Sequence, residues 1–126
     1  MKFLIDKQEK FTLLQPQEEK IDSSIAPNLK SELVTVHAEG AKNIILDLSQ
    51  VKYVDSSGLS AILTGNRVCS GDGGILVVAS PSEHVMKLMK ISQLDSVLVI
   101  LPTKEEAIDA VFMNEIENDL KNEMGE

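Results

Sequence analysis

The sequence predicts an α/β layer fold: a mixed β-sheet, built from a β-hairpin and parallel strands, covered by about four α-helices. Three observations predict it. Residues 43–48, 75–79 and 97–101 are apolar runs of strand length with no polar alternation, as strands covered on both faces require. The stretches between them repeat apolar residues at helical spacing and open on helix-capping residues. Two further short apolar segments at the start are separated by four polar residues, the pattern of a hairpin.

The elements follow in order. Residues 2–6 and 11–14 form the hairpin, with Lys7-Gln8-Glu9-Lys10 as its turn. Pro16 ends the second strand or sits at its edge, because it cannot donate to a ladder. Asp22-Ser23-Ser24 offers three candidate N-caps, and Ile25, Leu29, Leu33 and Val36 form one helical stripe. Pro27 is tolerated near the first turn, and Gly40 is the natural left-handed stop. After the strand at 43–48, residues 51–54 carry the chain to the sheet edge. Leu59, Ile62 and Leu63 then begin a second helix that runs toward Cys69 and breaks at Gly71-Asp72-Gly73-Gly74. Ser80-Pro81-Ser82-Glu83 reads as a capping box with proline at the first helical position, opening a helix that buries Val85, Leu88 and Met89. Thr103-Lys104-Glu105-Glu106 is another such box. The last helix is expected to bury Ala107, Ile108, Val111, Phe112 and Ile116.

Composition narrows the function. A chain of 126 residues with 43% apolar content supports one core, so residues 1–126 read as a single domain. No apolar run approaches the roughly 20 residues that span a bilayer, and the start has no signal-peptide core, so a cytoplasmic protein without direct membrane insertion is expected. Cys69 is the single cysteine, which excludes an intrachain disulfide and a cysteine-built metal site. The net charge of −8 argues against nucleic acid as a partner, because phosphate recognition needs clustered Lys and Arg. Half of that charge lies in residues 114–126, where Glu115, Glu117, Asp119, Glu123 and Glu126 face only Lys121. Residues 117–126 read as a helix end fraying into an acidic tail.

Chemistry concentrates at Asp55-Ser56-Ser57-Gly58, between a strand and a helix. A serine nucleophile in that setting needs the G-x-S-x-G turn and a histidine base. The first glycine is missing, and the two histidines lie elsewhere, His37 near the end of the first helix and His84 in the first turn of the third. No catalytic residue is assigned. Asp22, Asp47 and Asp55 could converge at one end of the sheet, but no calcium-loop or His–Cys spacing supports a metal site, and no cofactor is expected. The glycines at 71–74 precede a strand and open no helix, so they form a turn instead of a phosphate loop. Ser56 remains as a substrate. Asp and Ser are preferred caps, and Gly58 permits close backbone approach. A phosphate on Ser56 would meet free backbone N–H groups and the positive helix end, while a docked partner would meet about two added negative charges beside Asp55.

At these residues the chain resembles the STAS family, the sulphate-transporter and anti-sigma-factor-antagonist domains. The resemblance runs from the hairpin through Ile-Leu-Asp-Leu-Ser, Val-Asp-Ser-Ser-Gly-Leu and the Gly-Gly-Ile-Leu-Val-Val strand. It implies a STAS-like fold and partner switching by a freestanding, non-enzymatic antagonist. The unphosphorylated protein would bind an anti-sigma factor that is also a serine protein kinase. Phosphorylation at Ser56, with Ser57 as the alternative, would release it, and a serine phosphatase would reset it. Asp22, Asp55, Ser56, Ser57 and Gly58 would form the partner-binding surface. A scaffold or accessory subunit of a transporter or lipid-transport complex, without phosphorylation, is the alternative. Family members usually carry Gly-Glu-hydrophobe-Asp before the first helix. Here Glu19-Lys20-Ile21-Asp22 keeps only Ile21 and Asp22, and the lost glycine is expected to change a loop beside the serine.

Overall fold

A computed structural model describes residues 2–123. Its main sheet has five strands in the order β1-β2-β4-β6-β7. β1 (Phe3–Lys7) and β2 (Thr12–Pro16) are the antiparallel hairpin. β4 (Ile44–Asp47), β6 (Leu76–Ala79) and β7 (Val99–Leu101) add in parallel, each pair separated in sequence by a helical crossover. These are the five strands expected from the apolar runs. Every residue of β4 and β6 is buried, which explains why their sequences show no alternation.

The stretch at 51–54 departs from expectation. It does not join the sheet edge. Tyr53–Val54, here β5, pairs in parallel with β3 (Lys20–Ile21) in a separate two-stranded ribbon. A two-residue strand leaves no periodicity for sequence reading to detect.

Four helices cover the sheet unequally. α1 (Ala26–Ala38), α2 (Ser56–Gly71) and α3 (Glu83–Ile91) close one face, over a core that includes Leu14, Leu33, Leu46, Ile62, Val78 and Met89. α4 (Lys104–Glu123) is packed against the other face, where Ala107 and Val111 meet Leu13, Ile45 and Val77. The alternation of Ile44 and Leu46 toward one core and Ile45 toward the other is the strand period made visible. Cys69 is buried in the larger core, and burial, reinforced by the Asp72 charge, pushes its thiol up to about 11.

Three helix ends refine the sequence reading. Gly40 adopts φ +115 and hands its N–H to the His37 carbonyl, the left-handed stop expected after α1. α3 starts later than its apparent capping box. Ser82, not Ser80, is the cap, and its hydroxyl accepts the Val85 N–H at 3.2 Å. Ser80 sits at φ +55 and donates its N–H to the Leu101 carbonyl, so the sheet has claimed the residue that the box needed. At Thr103 the hydroxyl cap forms, with the Glu106 N–H reaching the Thr103 hydroxyl at 3.1 Å.

α4 carries the largest correction. Phe112 and Ile116, expected in the core, are exposed. Small and polar residues seat this half of the helix instead. Asn118 donates to the Gly73 carbonyl at 2.8 Å, and buried Asn43 donates to the Glu115 carboxylate at 2.7 Å. The helix is continuous through Glu123 across the segment read as a frayed end, and 124–126 lie outside the described residues.

Candidate functional site

The ribbon β3–β5 positions the site. Its register pairs Lys20 with Tyr53 and Ile21 with Val54, so the next residues along the two strands are Asp22 and Asp55. The Asp55 N–H donates to the Ile21 carbonyl at 3.1 Å, closing the ribbon at that point. At its other end the Glu19 carbonyl accepts the N–H groups of Lys52 at 2.7 Å and Tyr53 at 3.0 Å. Glu19 and Lys20 therefore belong to ordered ladder structure and not to a loop beside the serine. The Lys52–Glu19 ion pair at 3.3 Å is solvent-exposed and adds little to these backbone bonds.

Asp55 is the N-cap of α2, with extended backbone at φ −96, ψ −174. Its Oδ1 accepts from the Ser57 N–H at 2.9 Å and the Gly58 N–H at 3.1 Å, and its carbonyl accepts the Leu59 N–H at 3.0 Å. This accounts for most of the first-turn donors that a helix leaves open. It also corrects the expectation that a phosphate on Ser56 would meet several free N–H groups, since the carboxylate already holds two of them.

Ser56 is exposed at the first helical position, whereas Ser57 is half-buried. Gly58 is buried for a steric reason. A Cβ there would lie 2.5 Å from Val54 Cγ1 and 2.8 Å from the Ile21 carbonyl oxygen. Only a hydrogen at this position lets α2 start against the ribbon.

Asp22 organises its own turn. Its Oδ1 accepts from the Ser24 hydroxyl at 2.6 Å and the Ser24 N–H at 3.0 Å, and these bonds lower its carboxyl pKa. It does not cap α1, which starts from Ile25 with no side-chain cap and with Pro27 in its first turn. The Asp22 carbonyl takes the Ile25 and Ala26 N–H groups at 3.0 and 2.7 Å. Asp47 stands apart from this pair, engaged with Gln15 at 3.0 Å and with the Ser49 N–H at 2.9 Å. No group of three or more His, Cys, Asp or Glu side chains suited to a metal exists among the described residues.

Two features went unread in the sequence. A shallow depression runs between the starts of α1 and α2, lined by Ser23, Pro27, Lys30, Ser57 and Ser60. Lys30 is its one charged lining residue, and the signal available was its place on the polar face of α1, one residue past the buried Leu29. Beside the ribbon, the exposed Tyr53 ring stacks on His84 of α3 with centroids 5.5 Å apart. His37 lies at the other end of α1, where Nδ1 is 3.0 Å from the Ala41 carbonyl and Nε2 is 3.5 Å from Asp72. Neither histidine is hydrogen-bonded to a serine among the described residues.

Comparison with known proteins identifies the lineage of this arrangement. Residues 2–107 match the family model of the STAS domain. The chain belongs to the STAS domain family. A relative from Thermotoga neapolitana, described as a candidate anti-sigma factor antagonist, is 34% identical over 58% of this chain and 65% of its own length. The match thus spans just under two thirds of that relative. The anti-sigma-B factor antagonist of Bacillus subtilis is 30% identical over 68% of this chain and 78% of its own length. Among solved structures, a candidate anti-sigma factor antagonist from Thermotoga maritima superposes with a TM-score of 0.77 at 25% identity, covering 86% of this chain and 93% of that one. The mixed sheet with its hairpin and four helices is the STAS fold. No helix among the described residues of this STAS domain is long and apolar enough to cross a membrane.

Proposed function

We infer that this STAS domain is an anti-sigma-factor antagonist that works by partner switching, with Ser56 as the phosphorylated residue. One observation carries the reading. Ser56 is the exposed residue of a segment otherwise consumed by structure: Asp55 caps, Ser57 surrenders its N–H to that cap, and Gly58 is packed against the ribbon. Conservation of structure does not require a hydroxyl at 56. A phosphate there lies at the positive end of α2 but beside the Asp55 carboxylate, which already occupies the donors a phosphate would use. The added charge is thus poorly absorbed within the domain and is presented to whatever docks on the α1–α2 surface. The antagonist names carried by the relatives from Thermotoga neapolitana and Bacillus subtilis support the same role.

The partner in this reading is an anti-sigma factor with serine kinase activity, the nucleotide binds that partner, and a serine phosphatase restores the unmodified state. The domain itself is substrate and ligand, not enzyme, and acts in the cytoplasm. The test is a binding titration of an anti-sigma serine kinase against four forms of the chain. Unmodified protein and Ser56→Ala should bind alike, while Ser56→Asp and the ATP-treated wild type should bind at least about tenfold more weakly. Equal binding of Ser56→Asp and wild type, or stoichiometric phosphate found away from Ser56 and Ser57 by mass spectrometry, would overturn the assignment.

A further inference from the structure

α4 presents its large apolar side chains to solvent. Phe112, Met113, Ile116 and Leu120 are 43, 56, 52 and 53% exposed. At about 3.6 residues per turn they share one stripe roughly a quarter of the circumference wide. Ala107, Val111, Asn114 and Asn118 lie on the opposite side, where they meet the sheet and the Gly73 carbonyl. The stripe is therefore not the margin of the core. It is a second apolar face on a helix whose inner face is already satisfied by small side chains and hydrogen bonds. It also lies wholly beyond residue 107, where the match to the STAS family ends.

Charge says what covers it. Asp109, Glu117, Asp119 and Glu123 border the stripe, and none forms an ion pair among the described residues. Over its whole length α4 carries seven carboxylates against Lys104 and Lys121. A second copy would bring an equally acidic border against this one, and like charges across an interface are costly. An anionic lipid surface meets the same repulsion, and helices that lie on membranes carry Lys and Arg at their polar margin instead.

We propose that the outer face of α4 docks a basic amphipathic helix of a partner protein, leucine-type residues against Phe112, Ile116 and Leu120 and Lys or Arg against the acidic border. This is helix-against-helix recognition read at i, i+4 and i+8, with flanking charges setting partner choice. The surface is on the opposite side of the sheet from α1 and α2, so it is independent of the Ser56 reading and would let the domain hold one partner while switching another.

The experiment uses the full chain and two labelled helical peptides of about five turns, with Leu at a and d and either Lys or Glu at e and g. Fluorescence anisotropy should show binding of the Lys peptide, weakening with added salt, and none of the Glu peptide. Ile116→Glu is the decisive variant because it adds negative charge while destroying the apolar stripe. Docking predicts at least about a tenfold loss of Lys-peptide affinity, whereas adsorption by charge alone predicts unchanged or tighter binding. A thermal melt of the variant checks folding, and Leu120→Ser repeats the test at a second position. The proposal is overturned if Ile116→Glu keeps its affinity, or if both peptides bind equally. It is also overturned if the chain sediments as a dimer that Ile116→Glu dissolves, or if zwitterionic vesicles bind through this face in preference to the Lys peptide.

Discussion

The two helix starts that flank the site are built on different plans. α2 begins from a carboxylate that locks its first turn, with Asp55 holding the Ser57 and Gly58 N–H groups and Gly58 wedged against Val54 and Ile21. α1 begins with no side-chain cap, and Asp22 spends its carboxylate on Ser24 in a solvent-facing turn. The two aspartates stand at equivalent places of a parallel register, yet one fixes a helix and the other shapes a loop. Chemistry that must be presented in one geometry belongs on the first. The second start is held by backbone bonds to the Asp22 carbonyl, with no side chain capping it.

This contrast makes graded predictions. Gly58→Ala should be the most damaging change, because its methyl group would overlap Val54 Cγ1 at 2.5 Å and a backbone carbonyl that cannot rotate away. A loss of about 3 kcal/mol in a denaturant titration is expected. A loss below about 0.5 kcal/mol would mean that α2 is not wedged on the ribbon and would erase the distinction between the two starts. Asp55→Ala should cost about 1–2 kcal/mol by removing a two-donor cap, with Asp55→Asn retaining most of the stability. Equal losses for both variants would show that the charge, and not the cap geometry, matters.

Asp22→Ala should cost less than Asp55→Ala in the same titration, since it caps no helix. Its pH dependence has a definite sign. The folded-state carboxyl pKa lies below its ordinary 3.8, so the unfolded chain binds the proton more readily. The contribution is fully present above that ordinary value and is lost as pH falls through the folded one. An NMR titration of the Asp22 carboxyl carbon should place its midpoint below 3.8. A midpoint at or above that value would mean that the Ser24 turn does not form in solution.

Much of this was readable from residues alone. The apolar runs at 43–48 and 75–79 read as covered strands, and β4 and β6 lie there with every residue buried. Asp55-Ser56-Ser57-Gly58 announced a helix start because capping depends on local residue types. What escaped has physical reasons too. The ribbon of Lys20–Ile21 and Tyr53–Val54 is specified by a long-range register, with too few residues to carry a period. Ser80-Pro81-Ser82-Glu83 satisfies two cap alignments, and the choice was made by the Leu101 carbonyl on a neighbouring strand. α4 has apolar residues on both sides. The expected buried set took in Phe112 and Ile116 together with Ala107 and Val111, whereas the space above Ile45 and Val77 holds Ala107 and Val111. Lys30 was invisible as a site residue because its depression exists only after α1 and α2 are laid side by side.

The small ribbon has a consequence for how the start of α2 is anchored. Its hydrogen bonds, from the Lys52 and Tyr53 N–H groups to the Glu19 carbonyl and from the Asp55 N–H to the Ile21 carbonyl, are not shared with the five-stranded sheet. Ile21 and Val54 are nevertheless fully buried in the larger core, so the ribbon is held to the domain through side-chain packing and not through the sheet's ladder. A register of two residue pairs thus sets where the Asp55 cap stands, and the packing of Ile21 and Val54 in the core holds that register in place.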